Sequence, residues 1–96
     1  MNMREQLEKT YGRFVELEQM LQDPVVLADG ARYSTAAREH GSLAKLANKY
    51  RRFRELNAQI SETLQMTEGN DAELRELAEA ELPELRGERE QIWRRS

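Results

Sequence analysis

The chain has no cysteine in its 96 residues. That excludes a disulfide framework, a thiolate nucleophile and any cysteine-ligated zinc site. Val and Ile together number five, against twelve Leu and ten Ala, a balance that speaks for helices and against sheets. Five Gly and two Pro leave few places for the chain to break. No apolar run approaches the roughly eighteen residues of a membrane span, and "MNMREQLEKTYGRF" lacks the apolar core of a leader peptide. The expectation is a cytoplasmic protein with no membrane partner.

What is present is charge, 34% of all residues, in the pattern of an all-α protein with long polar faces. The net charge of −3 hides a division. Residues 29–54 hold seven basic and two acidic side chains, a balance of +5, whereas residues 55–84 hold one basic and nine acidic, a balance of −8. A polarity of that size bears on partners more than on fold.

Leu7, Tyr11, Phe14, Leu17 and Leu21 follow helical spacing. Asn2 and Glu5 have the spacing of a capping box, so the first helix is predicted to begin at Met3. It should stop by Gln22, because Pro24 pushes Asp23 out of the α region. A second apolar track runs through Tyr33, Ala36, His40, Leu43, Ala47, Tyr50, Phe53, Leu56, Ile60 and Leu64, from Asp29 as cap to Gly69 as stop. At 1.5 Å per residue it predicts a helix of roughly 55 Å and an elongated molecule. Asn70 and Glu73 repeat the capping-box spacing ahead of Leu74, Ala78, Leu82, Leu85 and Ile92, with a kink or break expected near Pro83. The predicted fold is therefore a single all-α domain over residues 1–96, an elongated three-helix bundle whose central helix is the longest. In the corner between the first two helices, Val25, Val26 and Leu27 are expected to cover the open end of the bundle.

The sequence offers no catalytic constellation. Its one histidine, His40, lies on the apolar track, where a partly buried packing residue is the usual outcome. No carboxylate pair comes with a convergent nucleophile, and no helical His pair or Gly-rich loop is present to hold a metal or a phosphate. The reading is a protein that is not an enzyme, has no cofactor or metal and takes no small-molecule substrate. The run "KYRRFR" interleaves aromatic and basic residues, so Lys49, Arg51, Arg52 and Arg54 are the candidate partner-binding residues, with nucleic-acid phosphates as the target. The same residues would serve as an ordinary solvated face, since Tyr50 and Phe53 hold track positions. Trp93 either folds back on the helices or packs on something else.

The stretch "MLQDPVVLADGARYSTAAREHGSL" resembles the N-terminal helical domain of bacterial class I peptide chain release factors. The matching positions are Leu21, Asp23, Pro24, Val26, Asp29, Arg32, Tyr33, Arg38, Glu39 and Leu43, and "DAELRELAEAELPEL" is similar to the family's acidic third-helix segment. Among the departures is His40, where the family has Tyr, so His40→Tyr is expected to be tolerated. The resemblance implies a ribosome-docking and regulatory domain of a translation termination factor, reaching toward the stalk base of the large subunit. It implies too that the codon-reading tripeptide and the Gly-Gly-Gln loop belong to the remainder of the release factor chain. The alternative is a stand-alone helical adaptor or a coiled-coil oligomerisation module, which the same apolar tracks would serve.

Overall fold

The computed structural model describes residues 2–94. Helix α1, Met3–Met20, starts where Asn2 caps it: the Asn2 side chain accepts a 2.9 Å hydrogen bond from the Glu5 amide and donates to the Glu5 carboxylate at 3.3 Å. The capping box read from the sequence is therefore in place. Helix α2, Pro24–Leu27, is a single turn that the sequence reading left as an irregular corner. Pro24 occupies its first turn, where no amide donor is needed, and the Asp23 carboxylate accepts from the Val25 amide at 2.9 Å. Helix α3, Gly30–Thr67, is 38 residues long, about 57 Å at helical rise. Asp29 caps it by accepting from the Arg32 amide at 3.2 Å. Helix α4, Ala72–Ile92, is capped by Asp71, not by Asn70 as expected, with the Asp71 carboxylate accepting from the amides of both Glu73 and Leu74. All four elements are helices, and among the described residues there is no strand.

The described chain divides into two compact units, residues 1–51 and 52–96. In the first, Phe14, Leu17, Val26, Ala36, Ala47 and Tyr50 are buried. The corner contributes only Val26 to that core. Val25 and Leu27 are 64% and 53% exposed, which corrects the expectation that all three cover the bundle end. A one-turn helix has one inward-facing position, and Val26 takes it. In the second unit the core is Leu56, Ile60 and Leu85, with Leu82 and Ile92 packed against it and Ala78 and Thr63 also buried.

The apolar track along α3 is less simple than its spacing suggested. Ala47, Tyr50, Phe53 and Leu56 follow one another at steps of three. Each such step falls about 60° short of a full turn, so three in succession carry the track about 180° round the helix. The ends of the track are corrected accordingly: Tyr33 and Leu64 are 40% and 39% exposed, and Thr63 takes the buried position instead of Leu64. The helix ends at Thr67, two residues before the expected glycine stop, and among the described residues no glycine has a positive φ.

Helix α4 is unbroken through Pro83, so of the expected kink or break the break does not occur. Proline removes one amide donor there and leaves the Glu79 carbonyl without its usual partner. Both Pro83 and Glu79 are exposed, and water can take the vacated bond. The cost is borne by helix stability rather than by packing. Replacing Pro83 with Ala should therefore raise the unfolding free energy by about 1–3 kcal/mol, read from urea melts followed by circular dichroism. An unchanged or lower midpoint would mean that the ring has packing contacts which offset the lost bond.

Candidate functional site

The basic run lies within α3 and straddles the boundary between the two units. Its two central arginines turn to different helices. Arg51 donates through Nη2 to the Glu18 carboxylate at 2.9 Å and through Nε to the Tyr11 hydroxyl at 3.2 Å. Its guanidinium carbon lies 5.4 Å from the centre of the Tyr11 ring and 5.7 Å from that of Phe14, within the range where a cation is drawn to an aromatic face. The hydrogen bonds from Tyr11 and Glu18 raise the Arg51 pKa further above its already high value. Arg52 donates to both oxygens of Glu88, at 2.8 and 2.9 Å, and to Glu55 at 3.2 Å. Its pKa is likewise raised, first by Glu88 and then by Glu55. Lys49 is half-buried and Arg54 exposed. Arg51 and Arg52 thus each form intramolecular ion pairs, to residues 33 and 36 positions away.

Around Arg51 the first unit carries a polar and aromatic cluster. His40 stacks on Phe14 with ring centroids 4.2 Å apart and planes 16° from parallel. Its side chain is 27% exposed, as expected for a packing residue. The Nε2 atom is buried, has no hydrogen-bond partner and lies 3.8 Å from the Glu18 carboxylate. A buried nitrogen without a hydrogen bond is unfavourable, so the surroundings of His40 favour its ring and not its polarity. Tyr11 and Tyr50 meet edge to face at 5.7 Å, and the Tyr50 hydroxyl donates to Glu8 at 3.4 Å. Trp93 sits edge to face on Phe53 at 5.6 Å, so it folds back on α3 while remaining 41% exposed. The neighbouring Arg95 lies outside the described residues.

A second ion pair was not read from the sequence. Arg13 on α1 holds Glu39 on α3 through two parallel bonds of 2.7 Å, the geometry in which guanidinium and carboxylate match best. The signal was available: Arg13 precedes Phe14 and Glu39 precedes His40, which puts opposite charges on the flanks of two apolar tracks. Among the described residues no group of three or more His, Asp or Glu is placed to hold a metal, and no helix is long and apolar enough to cross a membrane.

These surfaces can present charge and apolar area to a partner. The PCRF domain family model matches residues 10–96. The chain belongs to the PCRF domain family. Its relatives include Peptide chain release factor 1 of Syntrophus aciditrophicus, 39% identical over 84 residues that make up 88% of this chain and 24% of that protein. Peptide chain release factor 1 of Acidobacterium capsulatum is 36% identical over 86% of this chain and 23% of its own length. The protein of the same name from Streptococcus agalactiae serotype V is 33% identical over 99% of this chain and 27% of its own length. No solved structure matches. This PCRF domain spans about a quarter of the length of the curated relatives it matches, and its family model runs through both compact units.

The structure assigns physical roles to much of the resemblance noted in the sequence. Asp23 and Pro24 start α2, Val26 is its buried anchor, Asp29 caps α3 and Glu39 receives Arg13. Tyr33 and Arg38 are exposed and have no such role.

The Arg13 hydrogen bonds hold the Glu39 carboxyl below the usual carboxylate range. A depressed folded-state value contributes stability that is present above the unfolded-state value and lost as pH falls through the folded one. Glu39→Gln should therefore be less stable than the parent near neutrality, with the gap closing in urea titrations as pH falls below the unfolded-state value and through the lowered folded-state one. A gap that stays constant across that range would show that the charge of Glu39 contributes nothing.

Proposed function

We propose that this chain is a non-catalytic docking and regulatory domain of a translation termination factor. In this reading the codon-reading and hydrolytic groups lie in the remainder of the release factor chain. The domain attaches the factor to the ribosome near the stalk base of the large subunit, in the cytoplasm. The observation that carries the reading is the family match over residues 10–96, together with relatives named Peptide chain release factor 1. One feature supports it. The candidate residues Lys49, Arg51, Arg52 and Arg54 belong to charged surfaces and not to a pocket of convergent groups, and surfaces of that kind serve partner choice and association rate.

Within the basic run the four residues are not equal as contacts to ribosomal RNA. Arg51 and Arg52 keep carboxylate partners, whose charge offsets most of their pull on a phosphate. Arg54 lies on the exposed surface. Charge reversal at Arg51 or Arg52 would disturb the fold along with any contact.

The experiment is removal of the domain from the full-length factor. Codon-dependent peptide release by bound factor should persist, while ribosome attachment or GTPase-assisted departure weakens. The isolated chain should bind stop-codon-programmed ribosomes and release no peptide. Arg54→Gln should reduce the log-log salt slope of ribosome binding by roughly 0.7–1. Ribosome binding and departure that are indifferent to loss of the domain would overturn the reading.

A further inference from the structure

Two short tracks face each other in the first unit. On α1, Arg13, Leu17 and Met20 follow at steps of four and three, and on α3 Arg32, Ala36 and Glu39 do the same. Each set therefore lies along one side of its helix. Leu17 and Ala36 are buried, at 0% and 3% exposure. Where α3 offers only methyl groups, at Ala31 and Ala36, the space between the helices stays open. The result is a cleft of about 290 Å³, lined by the six track residues together with Ala31 and Thr35. That volume suits a ligand smaller than a drug-sized one.

The polar groups of the cleft are unevenly spent. Arg13 donates through Nε and Nη2 to the two oxygens of Glu39, at 2.7 Å each, so the pair fixes its guanidinium and occupies the carboxylate. The remaining nitrogen, Nη1, lies 3.9 Å from Glu16, too far for a hydrogen bond. Arg32 is exposed, and among the described residues its side chain makes no ion pair or hydrogen bond; the Thr35 hydroxyl makes none either. What is left over is a set of donors, with two guanidinium charges against one carboxylate. Such a set receives an anion, and a planar carboxylate matches the guanidinium fork best. The buried Leu17 and Ala36 beneath it reward apolar area, which an inorganic anion does not have.

We propose that this cleft between α1 and the start of α3 binds a small organic carboxylate with an apolar body. The carboxylate meets Arg32, with Arg13 Nη1 and the Thr35 hydroxyl as further donors, and the body lies over Leu17, Met20 and Ala36. A ligand that touches both helices binds the folded first unit and not the unfolded chain, so it acts as a stabilising effector of the domain. The proposal goes beyond the docking reading and does not depend on it.

The test is a titration of the 96-residue chain, at fixed pH and ionic strength, with sodium 4-phenylbutyrate up to roughly 10 mM, a concentration set by the modest affinity of a ligand this small. Methyl and amide NMR spectra should show saturable shifts at Leu17, Ala31, Thr35 and Ala36, and the melting temperature should rise with the ligand. The uncharged 4-phenylbutanamide and inorganic phosphate should leave those signals in place. Two variants at exposed positions keep the fold and separate the two halves of the site: Arg32→Gln removes the charge, and Ala31→Leu fills the cleft. Each should weaken binding about tenfold or more, the loss expected for one charge-assisted bond. No saturable shift, equal shifts with the amide or with phosphate, or parent-like binding by either variant would overturn the proposal.

Discussion

Arg51 is the contact on which the first unit depends. A helix of 18 residues with two buried side chains, Phe14 and Leu17, has little apolar area of its own to hold it on α3. Arg51 adds a charge-assisted bond to Glu18, a bond to the Tyr11 hydroxyl and a cation beside two aromatic rings, all from one side chain. Its long apolar stem can lie along the rings while the charged head stays at the edge, in reach of both carboxylate and water. The Arg13 to Glu39 pair repeats the device five residues away on α1 and twelve residues away on α3, with the arginine on the other helix. Between the two pairs Phe14 is stacked on His40, so the aromatic layer is bounded by ions on both flanks.

The local rules of the chain were legible in its sequence. Asn2, Asp29 and Pro24 each did what their side-chain chemistry dictates, and the track from Leu7 to Leu21 marked the inward side of α1, because capping and periodicity depend only on near neighbours. What was not legible depends on residues far apart. Arg51 and Arg52 look alike in sequence, yet one meets Glu18 and the other Glu88, and no spacing rule connects those positions. The same holds for Leu74, which continues an apolar track and is nevertheless half exposed. Whether Pro83 would kink or break α4 was not legible for a different reason: its cost depends on whether the carbonyl it orphans can reach water, and here Glu79 is exposed.

The division of charge read from composition survives in altered form. Much of the basic excess of residues 29–54 is neutralised by carboxylates from elsewhere in the fold, Arg51 by Glu18 and Arg52 by Glu88. Of the acidic residues 55–84, Glu55 is paired with Arg52, while Arg75 serves a backbone carbonyl and the glutamates along α4 from Glu73 to Glu84 face solvent. The uncompensated field of the described chain is therefore negative and sits beside exposed leucines. For a PCRF domain this means that Arg51 and Arg52 of the basic run serve the fold's own assembly.

The most direct test of that division of labour is a double-mutant cycle on Glu18 and Arg51, with Glu18→Gln, Arg51→Met and the double variant unfolded in urea. A half-exposed pair with good geometry and a shared aromatic neighbour should show a coupling of roughly 0.5–1 kcal/mol, with each single variant less stable than the parent. Additive effects, with no coupling beyond about 0.3 kcal/mol, would contradict the assignment of Arg51 as the clamp of the first unit and return it to the surface as a residue kept for a partner.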